Sequence, residues 1–211
     1  AELIETGIAK PADVPEFGRK IHVEASRMIQ LVNDILQLSH LDSVSETHAQ
    51  PDMETVDLLD VAKDCVERQK LNAQRSFISL TYLGESARVL GNRDQLDELC
   101  QNLCDNAIRY NRPGGKVKVS VQRQNSQAVI YVQDTGRGIP QEFWQSIFQP
   151  FFRVDKSLSR ELGGAGLGLP LVWEIARLHA GRVWVEKSSE EGSVLTVTLP
   201  GIAQDAVPGM G

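Results

Sequence analysis

Asn102-Leu103-Cys104-Asp105-Asn106-Ala107-Ile108-Arg109-Tyr110 closes a segment whose apolar residues Leu96, Leu99, Leu103 and Ala107 recur at helical spacing. A helix from Arg93 to Tyr110 is therefore expected, with that stripe facing a core. Asn92 followed by Gln95 resembles a capping box at its start. Asn102, Asn106 and Tyr110 recur every four residues along the edge of the stripe, with Arg109 beside them. Asparagine is a mediocre helix former, so two on one face ask for a reason. Amide oxygens suit a hard cation such as Mg²⁺, which keeps waters and phosphate oxygens as its other ligands. Arg109 would then meet a phosphate. Two solvated asparagines are the alternative from this segment alone.

Downstream, Lys116 to Gln122 and Ala128 to Gln133 alternate as paired strands around Asn125-Ser126. The second strand runs into Asp134-Thr135-Gly136-Arg137-Gly138-Ile139-Pro140, where the glycines permit close approach of backbone to a flat ligand. Pro140 fits the first turn of a short helix. Gly163-Gly164-Ala165-Gly166-Leu167-Gly168-Leu169 then leads into a helix from Leu169 to His179, and its free amides would attract phosphates. It is not a Walker loop, because no Gly-Lys-Ser/Thr follows. Between the two glycine segments lie Phe148-Gln149-Pro150-Phe151-Phe152-Arg153, whose aromatics are expected to pack as a hinge. The polar run Lys156 to Leu162 reads as a mobile lid, from which Arg153 and Lys156 would reach phosphate charge. Each segment alone also fits a bland structural role: tight turn, core cluster or connector.

Upstream, a helix is expected from Asp57 to Leu71, then strands at Phe77 to Leu83 and Arg88 to Leu90. A last hairpin, Arg182 to Lys187 with Val194 to Leu199, turns around Glu191-Gly192. Near the start, Ala1 to Glu5 reads as the end of a helix, and Lys10-Pro11 and Val14-Pro15 mark a loop. A long helix follows from Glu16 to about Leu41. Its Ile21, Ala25, Met28, Val32 and Ile35 form a heptad-like seam suited to a helical hairpin. The expected organisation is a hairpin remnant over residues 1–45, a polar linker over 46–56, an α+β unit over 57–200 and a disordered tail over 201–211. Hairpin-linked strands with interleaved helices imply a two-layer α/β sandwich with a mixed, largely antiparallel sheet.

Composition narrows the function classes. The 211 residues carry a net charge of -6, which argues against nonspecific nucleic-acid binding. No run approaches the roughly 18 apolar residues of a membrane helix, so no membrane contact and a cytoplasmic location are expected. Any anchor of a parent protein would lie outside this stretch. Cys65, Cys100 and Cys104 make an odd count without a C-x-x-C pair, as for reduced thiols. Cys100 and Cys104 share a helical face. With no histidine or third cysteine near them in the sequence, they read as small buried apolar residues rather than a metal pair.

The ordered set of asparagine helix, D-x-G-x-G-I-P, aromatic-arginine segment and G-x-G-L-G-L is far more specific than any one part. Here the chain resembles the bacterial sensor histidine kinases, whose N box, two glycine boxes and F box match Asn102 to Tyr110, Asp134 to Gly138, Gly164 to Leu169, and Phe148 to Arg153. Val32-Asn33-Asp34-Ile35-Leu36-Gln37-Leu38-Ser39 is similar to the end of that family's second dimerisation helix. The resemblance runs from Ala1 to about Pro200.

It implies an ATP-binding sandwich of the gyrase-like superfamily that uses ATP and Mg²⁺. Asp134 would bind the adenine amino group, and Asn106 the Mg²⁺ ion, with Asn102 supporting it. Arg109 and Tyr110 would lie along the nucleotide, although lysine is commoner in the family at the position of Arg109. Gly136, Gly138 and Ile139 would shape the adenine pocket. Gly164, Gly166, Leu167 and Gly168 would close over the phosphates, with Arg153 and Lys156 meeting γ-phosphate charge. Gyrase-type ATPases carry a glutamate at the position of Asn102, where it activates water. Asparagine cannot be that base, which favours transfer over hydrolysis.

The family acceptor is a histidine in a His-Glu/Asp-x-x-Asn/Thr-Pro motif, and none of His22, His40, His48 and His179 fits it. The chain is expected to start after the acceptor and to bind Mg-ATP without autophosphorylating. The expected partners are a response regulator and, in the full-length protein, a second copy. A non-catalytic nucleotide-gated module and a gyrase-like ATPase are the competing readings.

Overall fold

The computed structural model describes residues 2–6, 8, 10–47, 52–155 and 165–202. In chain order the elements are α1 (Glu2–Glu5), α2 (Val14–Thr47), β1 (Glu54–Asp57), α3 (Leu58–Arg75), β2 (Ser79–Gly84), β3 (Arg88–Gly91), α4 (Arg93–Arg109), β4 (Lys116–Gln124), β5 (Gln127–Asp134), α5 (Gly168–Leu178), β6 (Arg182–Ser189) and β7 (Gly192–Pro200). Two single 3₁₀ turns, Gln141–Phe143 and Ser146–Phe148, lie between β5 and α5.

Five strands form a sheet in the order β2-β4-β5-β7-β6. Only β2 and β4 run parallel; the other neighbours are antiparallel. Helices α3, α4 and α5 cover one face. Val117, Val119 and Val121 of β4 and Ala128, Ile130 and Val132 of β5 alternate into that layer, against Leu96, Leu99 and Leu103 of α4 and Leu171 and Ile175 of α5. The result is the expected two-layer α/β sandwich with a mixed, largely antiparallel sheet. Two-residue periodicity on the strands and a 3.6-residue stripe on the helices meet in one core.

Local chemistry sets the element ends. Asp57 caps α3 by accepting from the Leu59 amide at 3.0 Å. Asn92 caps α4 by accepting from the Gln95 amide at 3.0 Å. The capping box is not completed by Gln95, however. The Asn92 amide donates instead to Nε2 of His179 at 3.1 Å, and Gln95 Oε1 is buried without a partner. Asn125 takes a φ of 57° in the β4–β5 turn, a conformation asparagine tolerates.

Several sequence expectations shift. Helix α2 begins at Val14 and ends at Thr47, because Pro15 is accommodated in a first turn whose amides have no helical acceptor. The expected linker is correspondingly shorter. Its end enters strand β1, Glu54–Asp57, which pairs with β3 and buries Val56. Pro140 precedes a 3₁₀ turn rather than opening a helix. The last hairpin turns at Glu190-Glu191, and Gly192 is already strand. Gly192 has φ of 132°, and a Cβ there would collide with the Asp134 carbonyl, so glycine lets β7 close on the end of β5. Gly201 bridges Val89, and the Ile202 amide donates to the Arg88 carbonyl at 2.8 Å. The expected disordered tail therefore does not begin at Gly201; residues 203–211 lie outside the described residues.

The reading of the cysteines also changes. Cys65 of α3 sits beside Cys100 and Cys104 of α4, and the three Sγ atoms all lie within 4.8 Å of one another. Linear sequence hid this, because the partner comes from a neighbouring helix. The seam residues Ile21, Met28, Val32 and Ile35 of α2 are exposed. Among the described residues no helix is long and apolar enough to cross a membrane.

Candidate functional site

One cleft of about 480 Å³ opens between α4, the end of β5 and the start of α5. That volume lies in the range of small-molecule sites. Asn102, Asn106, Arg109 and Tyr110 line it from α4, and Asp134, Gly138 and Ile139 from the end of β5 and its loop. Arg153, Gly166, Leu167 and Gly168 complete the lining. The fold thus brings together residues spread over 67 positions, from 102 to 168. Lys156, Gly164 and the run expected to form a lid lie outside the described residues.

Four-residue spacing places Asn102 and Asn106 in one row on α4. Asn102 Nδ2 donates to the Glu98 carbonyl at 3.0 Å, which identifies the remaining amide atom as a free acceptor oxygen. Gly168, first residue of α5, packs onto that row. A Cβ added to it would lie 2.8 Å from Asn102 Oδ1 and 3.6 Å from Asn106 Nδ2. Leu167 precedes α5 without any side-chain cap bond, so the cap residue leaves the first-turn amides of α5 without a side-chain acceptor of its own. Those amides carry the positive end of the helix dipole and suit an anion.

Asp134 ends β5 and also lines the cleft. Its Oδ1 accepts from the Gly136 amide at 2.7 Å and the Ser193 amide at 3.3 Å. Burial pushes its carboxyl pKa up, and the two amide bonds offset this only in part. The loop that follows is held on several sides. The Ile139 amide donates to Ser188 Oγ at 2.6 Å, and Trp144 Nε1 donates to the Ile139 carbonyl at 2.9 Å. Arg112 Nη2 donates to the Gly136 carbonyl at 3.1 Å and to the Glu190 carbonyl. Gly138 has φ of 73°, and a Cβ there would strike the Ser189 carbonyl. Gly136 differs from its expected role. It does not line the cleft but lies behind its wall, where a Cβ would meet the Tyr110 carbonyl at 2.5 Å and Asp134 Oδ1 at 2.8 Å.

The aromatic segment does not pack as one hinge. Phe152 stacks obliquely on Phe143 with centroids 5.6 Å apart, whereas Phe151 is 59% exposed with φ of 64°. The Phe151 amide donates to the Gly166 carbonyl at 2.9 Å, which ties this segment to the second glycine run. The positive φ turns the Phe151 side chain outward while the backbone makes that bond.

Sequence reasoning missed Asp105, Arg137, Ser193 and Val23 of α2, which also line the cleft. Asp105 Oδ1 accepts from Gln69 Nε2 of α3 at 2.7 Å. Burial raises its pKa, against lowering by Gln69 and by the Arg109 charge. Ser193 reaches the cleft only through sheet register, where Val194 pairs with Gln133 beside Asp134. Nothing local in the sequence marks it.

Comparison with known proteins gives this geometry a family. The profile described as "Histidine kinase-, DNA gyrase B-, and HSP90-like ATPase" matches residues 91–202. The sensor-like histidine kinase SenX3 of Mycolicibacterium smegmatis is 33% identical over 201 residues, covering 95% of this chain and 52% of SenX3. The chain thus spans about half the length of that relative. The structure of the mycobacterial sensor histidine kinase MprB superposes with a TM-score of 0.61 at 29% identity, covering 71% of this chain and 97% of that one. The histidine kinase ThkA, solved in complex with the response regulator protein TrrA, shares the fold with a TM-score of 0.70 at 22% identity, covering 92% of this chain and 53% of that one. The chain belongs to the histidine kinase-, DNA gyrase B- and HSP90-like ATPase family and carries the ATP-binding catalytic domain of sensor histidine kinases.

Proposed function

We propose that this chain holds Mg-ATP across the cleft and presents its γ-phosphoryl group to a histidine on a dimerisation hairpin, from which it passes to a response-regulator aspartate. The observation that carries this reading is Asn102. Its Nδ2 is committed to the Glu98 carbonyl, so a neutral amide oxygen stands where a hydrolase needs a base. Attack on the γ-phosphorus by a histidine nitrogen, with ADP leaving, needs positioning and charge neutralisation rather than proton abstraction from water.

Within that reading Asp134 accepts from the adenine amino group. Both amide bonds fall on Oδ1, so Oδ2 keeps its accepting capacity. Tyr110 and Ile139 flank the base, and Gly138 lets the loop approach it. Arg109 lies along the phosphates, and the α5 amides with Gly166, Leu167 and Gly168 bind them. Arg153 and Lys156 meet γ-phosphate charge. The amide oxygens of Asn106 and Asn102 are hard, neutral donors that suit Mg²⁺, which needs further oxygens from water and phosphate. When bound, that ion would neutralise phosphate charge. Residues 1–45 form part of the dimerising hairpin, residues 57–200 the catalytic unit, and a second copy completes the bundle. A cytoplasmic location follows from this role.

The test supplies radiolabelled ATP, Mg²⁺ and a separate acceptor-helix protein bearing the His-Glu/Asp-x-x-Asn/Thr-Pro motif. Acid-labile, alkali-stable label is expected on the acceptor and none on this chain. Rapid phosphate release with an unlabelled acceptor would make the chain a hydrolase. Stable label on His22 or His40 would show that the chain phosphorylates itself.

A further inference from the structure

We propose that Cys65, Cys100 and Cys104 form a binding site for a single Cu(I) ion between α3 and α4. The chain has three cysteines in all, and the fold gathers every one into a cluster whose Sγ atoms lie within 4.8 Å of one another. Two stand one turn apart on α4, and the third faces them from α3. With metal–thiolate bonds of ~2.3 Å, a trigonal ion needs its sulfurs ~4 Å apart. Closing from 4.8 Å shortens the sulfur–sulfur distances by less than an ångström.

The donor set selects the ion. It is sulfur alone, and among the described residues no histidine or carboxylate joins the three. Soft thiolates favour Cu(I) and zinc over Mg²⁺ or Ca²⁺. Structural zinc sites take four ligands. Here all three cysteines are 0% exposed, so water cannot supply the fourth, and a three-sulfur site suits the ion of lower coordination number. Each thiol converted to thiolate releases one proton to solvent. The ion would enter as the chain folds or as the helices open locally, since coordination and folding are coupled.

The placement connects this cluster to the rest of the domain. Cys100 is two residues from Asn102, and Cys104 is two residues from both Asn102 and Asn106, so the cysteines occupy the far side of α4 from the cleft. An ion here would tie α4 to α3 behind the nucleotide wall. The site depends on α3 and α4 alone and stands whether or not the chain transfers phosphate.

The experiment titrates the reduced, metal-free chain with Cu(I) in anaerobic competition with a chromophoric Cu(I) chelator. A single equivalent is expected to transfer to the protein, with a near-ultraviolet sulfur-to-copper band and a raised Tm. Cys65→Ala and Cys104→Ala should each weaken competition by at least ~100-fold, since losing a ligand costs more than the roughly 10- to 100-fold lost with an outer-shell partner, with circular dichroism confirming the fold. Copper-edge absorption on the wild-type chain tests the ligands independently of any variant, and only sulfur neighbours are expected. Failure to compete with the chelator, affinity unchanged in both variants, nitrogen or oxygen ligands, tighter retention of Zn²⁺, or the mass loss of a disulfide without bound copper would each overturn the proposal.

Discussion

The backbone amide of Asn92, which caps the helix bearing both cleft asparagines, donates to Nε2 of His179 at the end of α5. Nε2 must then be unprotonated, and Nδ1 carries the proton toward the Ile175 carbonyl at 2.8 Å. Burial lowers the pKa of His179, partly opposed by that Nδ1 bond. Helices α4 and α5, which both line the cleft, are thereby tied together by a neutral imidazole.

A pH-dependent stability follows. The unfolded chain takes up the His179 proton near pH ~6.5, and the folded chain only at lower pH. The stability His179 contributes is present above the unfolded value and is lost as pH falls toward the folded one. His179→Phe should remove that limb and cost about 1–3 kcal/mol at neutral pH by orphaning the Asn92 amide. Urea midpoints at neutral and mildly acidic pH measure both effects. An identical acid limb in the variant would assign it to another group.

Asp134 should behave oppositely in folding and in binding. Its raised pKa means that the folded chain holds the proton more tightly than the unfolded chain. Its contribution to stability is present below the unfolded value and is lost as pH rises through the folded one. Asp134→Asn keeps an oxygen for the Gly136 and Ser193 amides and removes the buried charge, so the urea midpoint at neutral pH should hold or rise. ATP affinity should fall roughly 10- to 100-fold, the worth of a charge-assisted hydrogen bond. Calorimetric titration with ATP, ADP and inorganic triphosphate separates the effects. Triphosphate should bind the two proteins equally; if it weakens as much as ATP, Asp134 serves the phosphate end.

Gly168→Ala tests the contact between α5 and the amide row. The new Cβ would lie 2.8 Å from Asn102 Oδ1, closer than atoms of that kind tolerate. Alanine is also the better helix former, so stability should change by no more than about 1 kcal/mol. ATP should bind about 10-fold more weakly as the Asn102 oxygen is displaced. Adding Asn102→Ala removes the atom that clashes. The two substitutions should therefore be non-additive, whereas simple additivity would place the clash elsewhere.

What the sequence disclosed about these residues follows how local their interactions are. The stripe and amide row of α4, the Asn92 cap and the Asn125 turn depend on neighbours within a few residues, and all could be read from spacing. Ser193 and Ser188 hold the Asp134 loop through the sheet and Arg112 from the α4–β4 loop, across gaps in the chain that no local pattern encodes. Strand β1 escaped notice because only Val56 of its four residues is buried. The partner of the Asn92 amide was misread for the same reason: Gln95 has the right spacing, but His179, 87 positions away, takes the bond.

Asp57 should produce a second acid limb, separable from that of His179. Its Oδ1 accepts from the Leu59 amide at 3.0 Å and the Ala87 amide at 3.1 Å, and Oδ2 from the Ser86 hydroxyl. Burial acts to raise its pKa, but these three bonds outweigh it and the carboxyl ends below its usual 3.8. The stability it contributes is present above that unfolded value and is lost as pH falls through the folded one. Asp57→Ala should cost about 1–2 kcal/mol at neutral pH, since it uncaps α3 and frees the Ala87 amide. Asp57→Asn keeps an accepting oxygen and should recover most of that loss while flattening the limb below pH ~4. Urea midpoints of the three proteins decide the matter. If Asp57→Asn is as unstable as Asp57→Ala, the charge rather than the cap holds α3 to the β2–β3 turn.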